Sequence, residues 1–334
     1  MHEIDVISNG RVSMAFVGET PWHGLGGLLT PGADLDTWIR EGGFDFRINE
    51  SPAMYLNTSR DKVARIESGE DADHMSFFDG RRVLYRSDTG AAIATVSARY
   101  NIVHPREIAE FFRELVEASG FTMETIGVLR GGARYWCLAR VPGDFKVLGQ
   151  DEIRPYLLIA TSADGSMATS GAFTTIRVVC SNTLSWAIGA DGKRAQVRIP
   201  HSTKFNADTL KADLGIIPEF WETFQIRSDA MAGRKVTRKE AVKYFMDLFV
   251  PEADVNLKDA AKRIEGVMEA YDFGPGSDLA TARGTAFGLV NAVTHYVDFD
   301  RRTVGGQDGR LDASWFGSGV AVKNKATDLA LALL

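Results

Sequence analysis

The chain has 334 residues, is 45% apolar and 25% charged, and carries a formal net charge of −6. That length supports a substantial core in one large domain or two modest ones, and the composition is that of an ordinary globular protein. The acidic total excludes a uniformly basic nucleic-acid binder but permits a local basic groove, whose field depends on its own charges.

Residues 1–60 mix Gly, Pro and short apolar runs, which suggests an irregular arm with one small helix near 34–40. Asp34 and Asp36 sit where the positive end of that helix favours carboxylates. The start, Met1-His2-Glu3-Ile4-Asp5, has no basic region and no apolar core, so no signal peptide is expected. Pro21-Trp22-His23-Gly24-Leu25-Gly26 reads as a tight turn anchored by a buried Trp22. Its glycines lack the rest of a dinucleotide fingerprint or P-loop.

Residues 52–100 read as short strands and loops, with 81–86 and 91–97 flanking Ser87-Asp88-Thr89-Gly90 as a hairpin. Ile108, Phe111, Phe112, Leu115 and Val116 predict a helix over 105–118, opened by Pro105 and closed by Gly120. A second hairpin pairs 121–129 with 133–141 around Arg130-Gly131-Gly132. Its second strand alternates: Tyr135, Cys137, Ala139 and Val141 face one way, and Arg134, Trp136, Leu138 and Arg140 the other. A third hairpin pairs 153–161 with 166–173, and 175–188 reads as strand-to-helix with Ser181 or Asn182 as N-cap. After residue 205 the pattern becomes helical, over roughly 207–230, 237–249, 257–271, 280–298 and 312–333. The expected fold is therefore α+β, in two portions. A mainly antiparallel twisted sheet backed by helices, with the irregular arm, fills 1–204, and a helical portion fills 205–334.

No run approaches the roughly 20 apolar residues of a membrane span, so a cytoplasmic protein without a membrane partner is expected. Cys137 and Cys180 are too few for a disulfide framework and have no metal-ligand spacing; neither metal nor other cofactor is expected. Histidines 74, 104, 201 and 295 are isolated in sequence, and no Gly-x-Ser-x-Gly elbow occurs. Asp298, Asp300 and Asp312 lie near Arg301, Arg302 and Arg310, as in a solvated, charge-balanced loop. Nothing here marks an enzyme, although a site assembled from distant residues would escape spacing arguments.

Basic residues concentrate in three segments. Residues 81–106 carry Arg81, Arg82, Arg86, Arg99 and Arg106 against Asp88 alone; residues 130–146 carry Arg130, Arg134, Arg140 and Lys146 against Asp144. Residues 172–204 carry Arg177, Lys193, Arg194, Arg198 and Lys204 against Asp191. A single strand needs such cations along a groove, with aromatic rings for its bases. Tyr100 and Trp136 are the candidate rings. Trp136 becomes core instead if another element covers its face of the sheet.

Four motifs also carry a family resemblance. They are Pro21–Gly26, Ser97-Ala98-Arg99-Tyr100 with His104-Pro105-Arg106-Glu107, Arg177-Val178-Val179-Cys180-Ser181-Asn182-Thr183-Leu184, and Ser314-Trp315-Phe316-Gly317-Ser318-Gly319. In this order the chain resembles the phage/plasmid-like proteins of the domain of unknown function 932 family, from about residue 10 onward. The resemblance implies a mobile-element protein and no settled activity. The element order of 105–188 is also similar to that of phage single-strand annealing proteins, which work as oligomers. The leading expectation is a non-enzymatic, oligomeric protein that binds or anneals single-stranded DNA. The rival is a protein-interaction or host-takeover module without nucleic-acid binding, for which the acidic net charge speaks.

Overall fold

The computed structural model describes residues 4–6, 10–18, 25–70, 74–177, 183–184, 196–206, 217–250, 257–302, 313–314 and 317–334. The expected turn at Trp22 and His23 lies outside them, as do Cys180, Lys193 and Arg194. Within them the chain is α+β, with helices gathered toward its C-terminal end.

The larger sheet contains β1 (Met14–Val17), β2 (Gly27–Leu29), β6 (Thr122–Leu129), β7 (Arg134–Arg140) and β8 (Phe145–Val147). It continues with β9 (Asp151–Ser162), β10 (Thr169–Arg177), β11 (Thr183–Leu184) and β12 (Gln196–Ile199). Its order is β11-β10-β9-β7-β6-β1-β2, with β12 on β10 and β8 on β9; only β1 and β2 run parallel. A smaller antiparallel sheet has the order β3-β4-β5, from β3 (Ile48–Leu56), β4 (Met75–Arg86) and β5 (Ala92–Ser97). The strands β1, β2 and β3 fall in the stretch expected to be irregular.

The helices of the N-terminal portion are α1 (Leu35–Glu41), α2 (Arg60–Glu67) and α3 (Pro105–Ser119). Asp34 caps α1 by accepting the Thr37 backbone N–H at 2.7 Å. In α3, Ile108, Phe111, Phe112 and Leu115 are buried as the spacing predicts, whereas Val116 lies at the edge of that face and is exposed. Gly120 ends α3 in the left-handed conformation, with φ 69°. Residues 183–184, expected within a helix, instead pair as β11 with β10.

The C-terminal helices are α4 (Ile217–Gly233), α5 (Arg238–Phe249), α6 (Leu257–Phe273), α7 (Ala286–His295) and α8 (Ser318–Leu331). A single π-turn, Tyr296–Asp300, extends α7. Helix α7 is buried from Ala286 to Thr294 and forms the axis of this portion. Asp298 in the π-turn and Lys323 of α8 make a buried ion pair at 2.9 Å. Phe145 and Phe173 of the sheet pack edge-on or tilted against Trp221 and Phe224 of α4. One apolar cluster therefore runs from the sheet into the helices. Among the described residues, no helix is long and apolar enough to cross a membrane.

Strand β7 is apolar on both faces. Tyr135, Cys137 and Ala139 belong to the main core, and Trp136 and Leu138 to a second cluster with Met14, Leu129, Tyr156 and Leu158. Trp136 is only 1% exposed, and its indole lies against Gly127, where even a Cβ would approach it to 3.1 Å. The ring expected as a stacking platform is a core residue in this structure. Trp136→Ala is expected to lower unfolding free energy by about 3–5 kcal/mol, as other large core truncations do. Chemical denaturation checks this, and a loss below about 1 kcal/mol would contradict the packing described.

Candidate nucleic-acid interface

Two segments far apart in sequence are fastened together at one end of the large sheet. The Asn101 backbone N–H and side-chain amide both donate to the His201 carbonyl, at 2.7 and 3.0 Å. The His201 Nδ1 lies 3.0 Å from the Asn101 carbonyl oxygen, which can only accept, so Nδ1 carries the proton. Nε2 then accepts from the Thr161 hydroxyl at 3.4 Å, and that hydroxyl is 2.7 Å from the Thr169 hydroxyl. The Tyr100 ring stacks on the imidazole, with centroids 4.5 Å apart and an interplanar angle of 18°. Its hydroxyl donates to the Ser162 carbonyl at 2.7 Å. Burial pushes the Tyr100 phenol well above its ordinary value and holds the His201 imidazole below its own.

The Asn101–His201 bonds bring segments 81–106 and 172–204 together at this end of the sheet, where Arg134 opens β7. Arg81 pairs across the small sheet with Ser97, and Arg99 follows two residues later. Arg198 and Lys204 lie within three residues of His201. Arg134 stands opposite Ser162 and donates to the Ser166 hydroxyl at 2.9 Å. The register puts Arg134 and Arg198 on one face of the sheet, three strands across and two residues along, or about 16 Å at the usual spacings; Thr161, which bonds His201, points to the other face. Arg81, Arg99, Arg198 and Lys204 are exposed, and among the described residues none of them makes an ion pair. Arg130 is exposed at the hairpin end that leads into Arg134.

Other expected residues are placed differently. Arg82 bridges Glu50 and donates to the Tyr100 carbonyl at 2.7 Å, so it clips the 97–100 turn in place. Arg140 pairs with Asp144 at the far end of β7, about 20 Å from Arg134 at the ordinary rise per residue. Arg177 ends β10 opposite Ile153, also at that far end. The Tyr100 ring is occupied by its stack. His201, Asn101, Thr161 and Thr169 were not legible as a group, because up to 100 residues separate them.

The segments around His104 and Phe205 also line a groove. About 720 Å³ in volume, it has an apolar floor that includes Ile39, Phe44, Phe46, Phe111 and Phe205. Its rim carries Asp45, Glu107, Glu110 and Glu114 against Arg47 and Arg106. Among the described residues, no group of three or more His, Cys, Asp or Glu could hold a metal ion.

Fold and site together define an α+β protein with a basic surface at the end of a sheet and an acidic groove. The chain belongs to the family described as Domain of unknown function (DUF932), whose profile matches residues 92–324. No curated protein and no solved structure matches it.

Because the folded state resists protonating His201, it binds fewer protons than the unfolded chain once pH falls below the usual histidine value of about 6.5. Stability should therefore drop with acidification through that range. His201→Gln, which keeps hydrogen-bonding capacity without the titration, should show a shallower drop. Denaturant unfolding of both proteins at neutral and mildly acidic pH checks this; equal slopes would remove His201 as the cause.

Proposed function

We propose that the protein is a non-enzymatic binder of single-stranded DNA, held at the basic surface around Tyr100 and His201. One observation supports the reading: the stretches that carry exposed Arg81 and Arg99, and exposed Arg198 and Lys204, lie more than 90 residues apart and are joined by the Asn101–His201 bonds at one end of the sheet. Cations so placed attract a phosphate backbone and release its counterions. Arg134 shares a face of the sheet with Arg198, and such cations contact phosphates without reading bases, so binding would be tolerant of sequence. Annealing of complementary strands would follow if several copies assembled along the strand.

The rival, a protein-interaction module, draws on the acid-rimmed, Phe-floored groove. That groove would repel phosphate and suits a basic, apolar peptide.

The readings separate in a salt titration with labelled single strands. Arg81→Ala and Arg198→Ala should each weaken binding equally for different base sequences. Each should also reduce the slope of log affinity against log salt by about 0.7. No single-strand binding at low salt by the folded protein ends the DNA reading and leaves the groove.

A further inference from the structure

We infer that Phe78, with Tyr55, is the base-stacking platform of the single-strand site; this rests on the function proposed above. The two rings expected for that task, Tyr100 and Trp136, are engaged inside the protein. The outer half of the β3–β4 ribbon carries what the basic surface lacks. Tyr55 is 47% exposed and Phe78 55%, both on one face of the ribbon; Phe77 pairs with Met54 and faces the other side.

Backbone register explains their position. Pro52 pairs with Arg82, but Met54 already pairs with Phe77, so residues 78–81 bulge out opposite Ala53 alone. Gly80, with φ 73° and open space where a Cβ would stand, allows that bulge. Its carbonyl accepts the Ala98 N–H at 3.0 Å, which fixes the bulge beside Arg99. The exposed rings thus begin within three residues of Arg81, where the exposed cations end. Tyr55 and Phe78 meet edge-on, 6.5 Å apart at 80°, and support each other without burying either ring.

Charge selects the occupant. A stacking surface bordered by Arg81 and Arg99, against the single carboxylate Asp79 in the bulge, suits bases whose phosphates reach those guanidiniums. Met54, Leu56 and Met75 are also exposed on the ribbon, so a second copy of this chain is the competing occupant.

The test compares an oligothymidylate with an abasic sugar-phosphate chain of equal length, for the full chain and its F78S variant. Phe78 is exposed, so the variant should fold. The full chain should bind the oligothymidylate about tenfold or more tighter, and the variant should bind both alike with an unchanged salt slope. Unchanged oligothymidylate affinity in the variant overturns the inference. So does a change in sedimentation alone, which would make the ribbon a contact between copies. A full chain that binds both probes equally defeats the stacking platform and leaves the basic track; one that binds neither defeats both.

Discussion

Burial of β7 on both faces is the constraint on which the rest depends. A strand with Tyr135 and Cys137 in one core and Trp136 and Leu138 in another has no face left for water. Each such side chain stabilises the fold by about 1.5–3 kcal/mol on burial, and a charge in the same place would be penalised. The strand's arginines are therefore confined to its first and last positions, Arg134 and Arg140. Cations cannot run along β7; they sit at its two ends, and Tyr100 bonds the sheet at the Arg134 end, through the Ser162 carbonyl.

His201 and Lys323 are two polar groups that enter the interior with partners. His201 enters the sheet end as a neutral imidazole with a carbonyl on one nitrogen and a hydroxyl on the other. The helical portion solves the same problem with charge, through Lys323 and Asp298. Removing one member of such a pair leaves the other charged and buried, which costs far more than the pair contributes. The two portions share a core yet fix their packing by different chemistry: neutral hydrogen bonds at the sheet end, a desolvated ion pair among the helices.

Legibility in the sequence followed how local the cause was. Helix α3 carries its own period, Pro105 at its start and Gly120 at its end, so its place could be read within a residue. The β6–β7 hairpin was equally local, and its alternation assigned the two faces correctly. What alternation could not say is that the Trp136 face is covered, because Met14 and Tyr156 reach it from other strands. Strands β1 and β3 were missed because their partners, β6 and β4, supply the reason for them to be extended. Helix α2 buries no residue, so it has no apolar stripe to read. The basic segments could be counted, but their meeting depends on Asn101 and His201, which no spacing rule connects. Phe78 is left unpaired by a bulge that only the register shows.

The net charge of −6 describes neither surface. Segments 100–104 and 201–205 each serve both: Tyr100 and His201 under the basic surface, His104 and Phe205 in the acidic groove. Groove carboxylates are partly spent locally, since Glu107 accepts the His104 N–H at 2.6 Å and Glu110 pairs with Arg106 and Arg113. Solvent ions screen exposed charges over about 8–10 Å at ordinary salt, so a strand on one surface is governed by the cations it touches. If single strands bind as proposed, the salt slope would report contacts with Arg81, Arg99, Arg198 and Lys204, whatever the sign of the whole chain. A net negative total does not oppose such short-range contacts, while it disfavours loose, nonspecific attachment elsewhere.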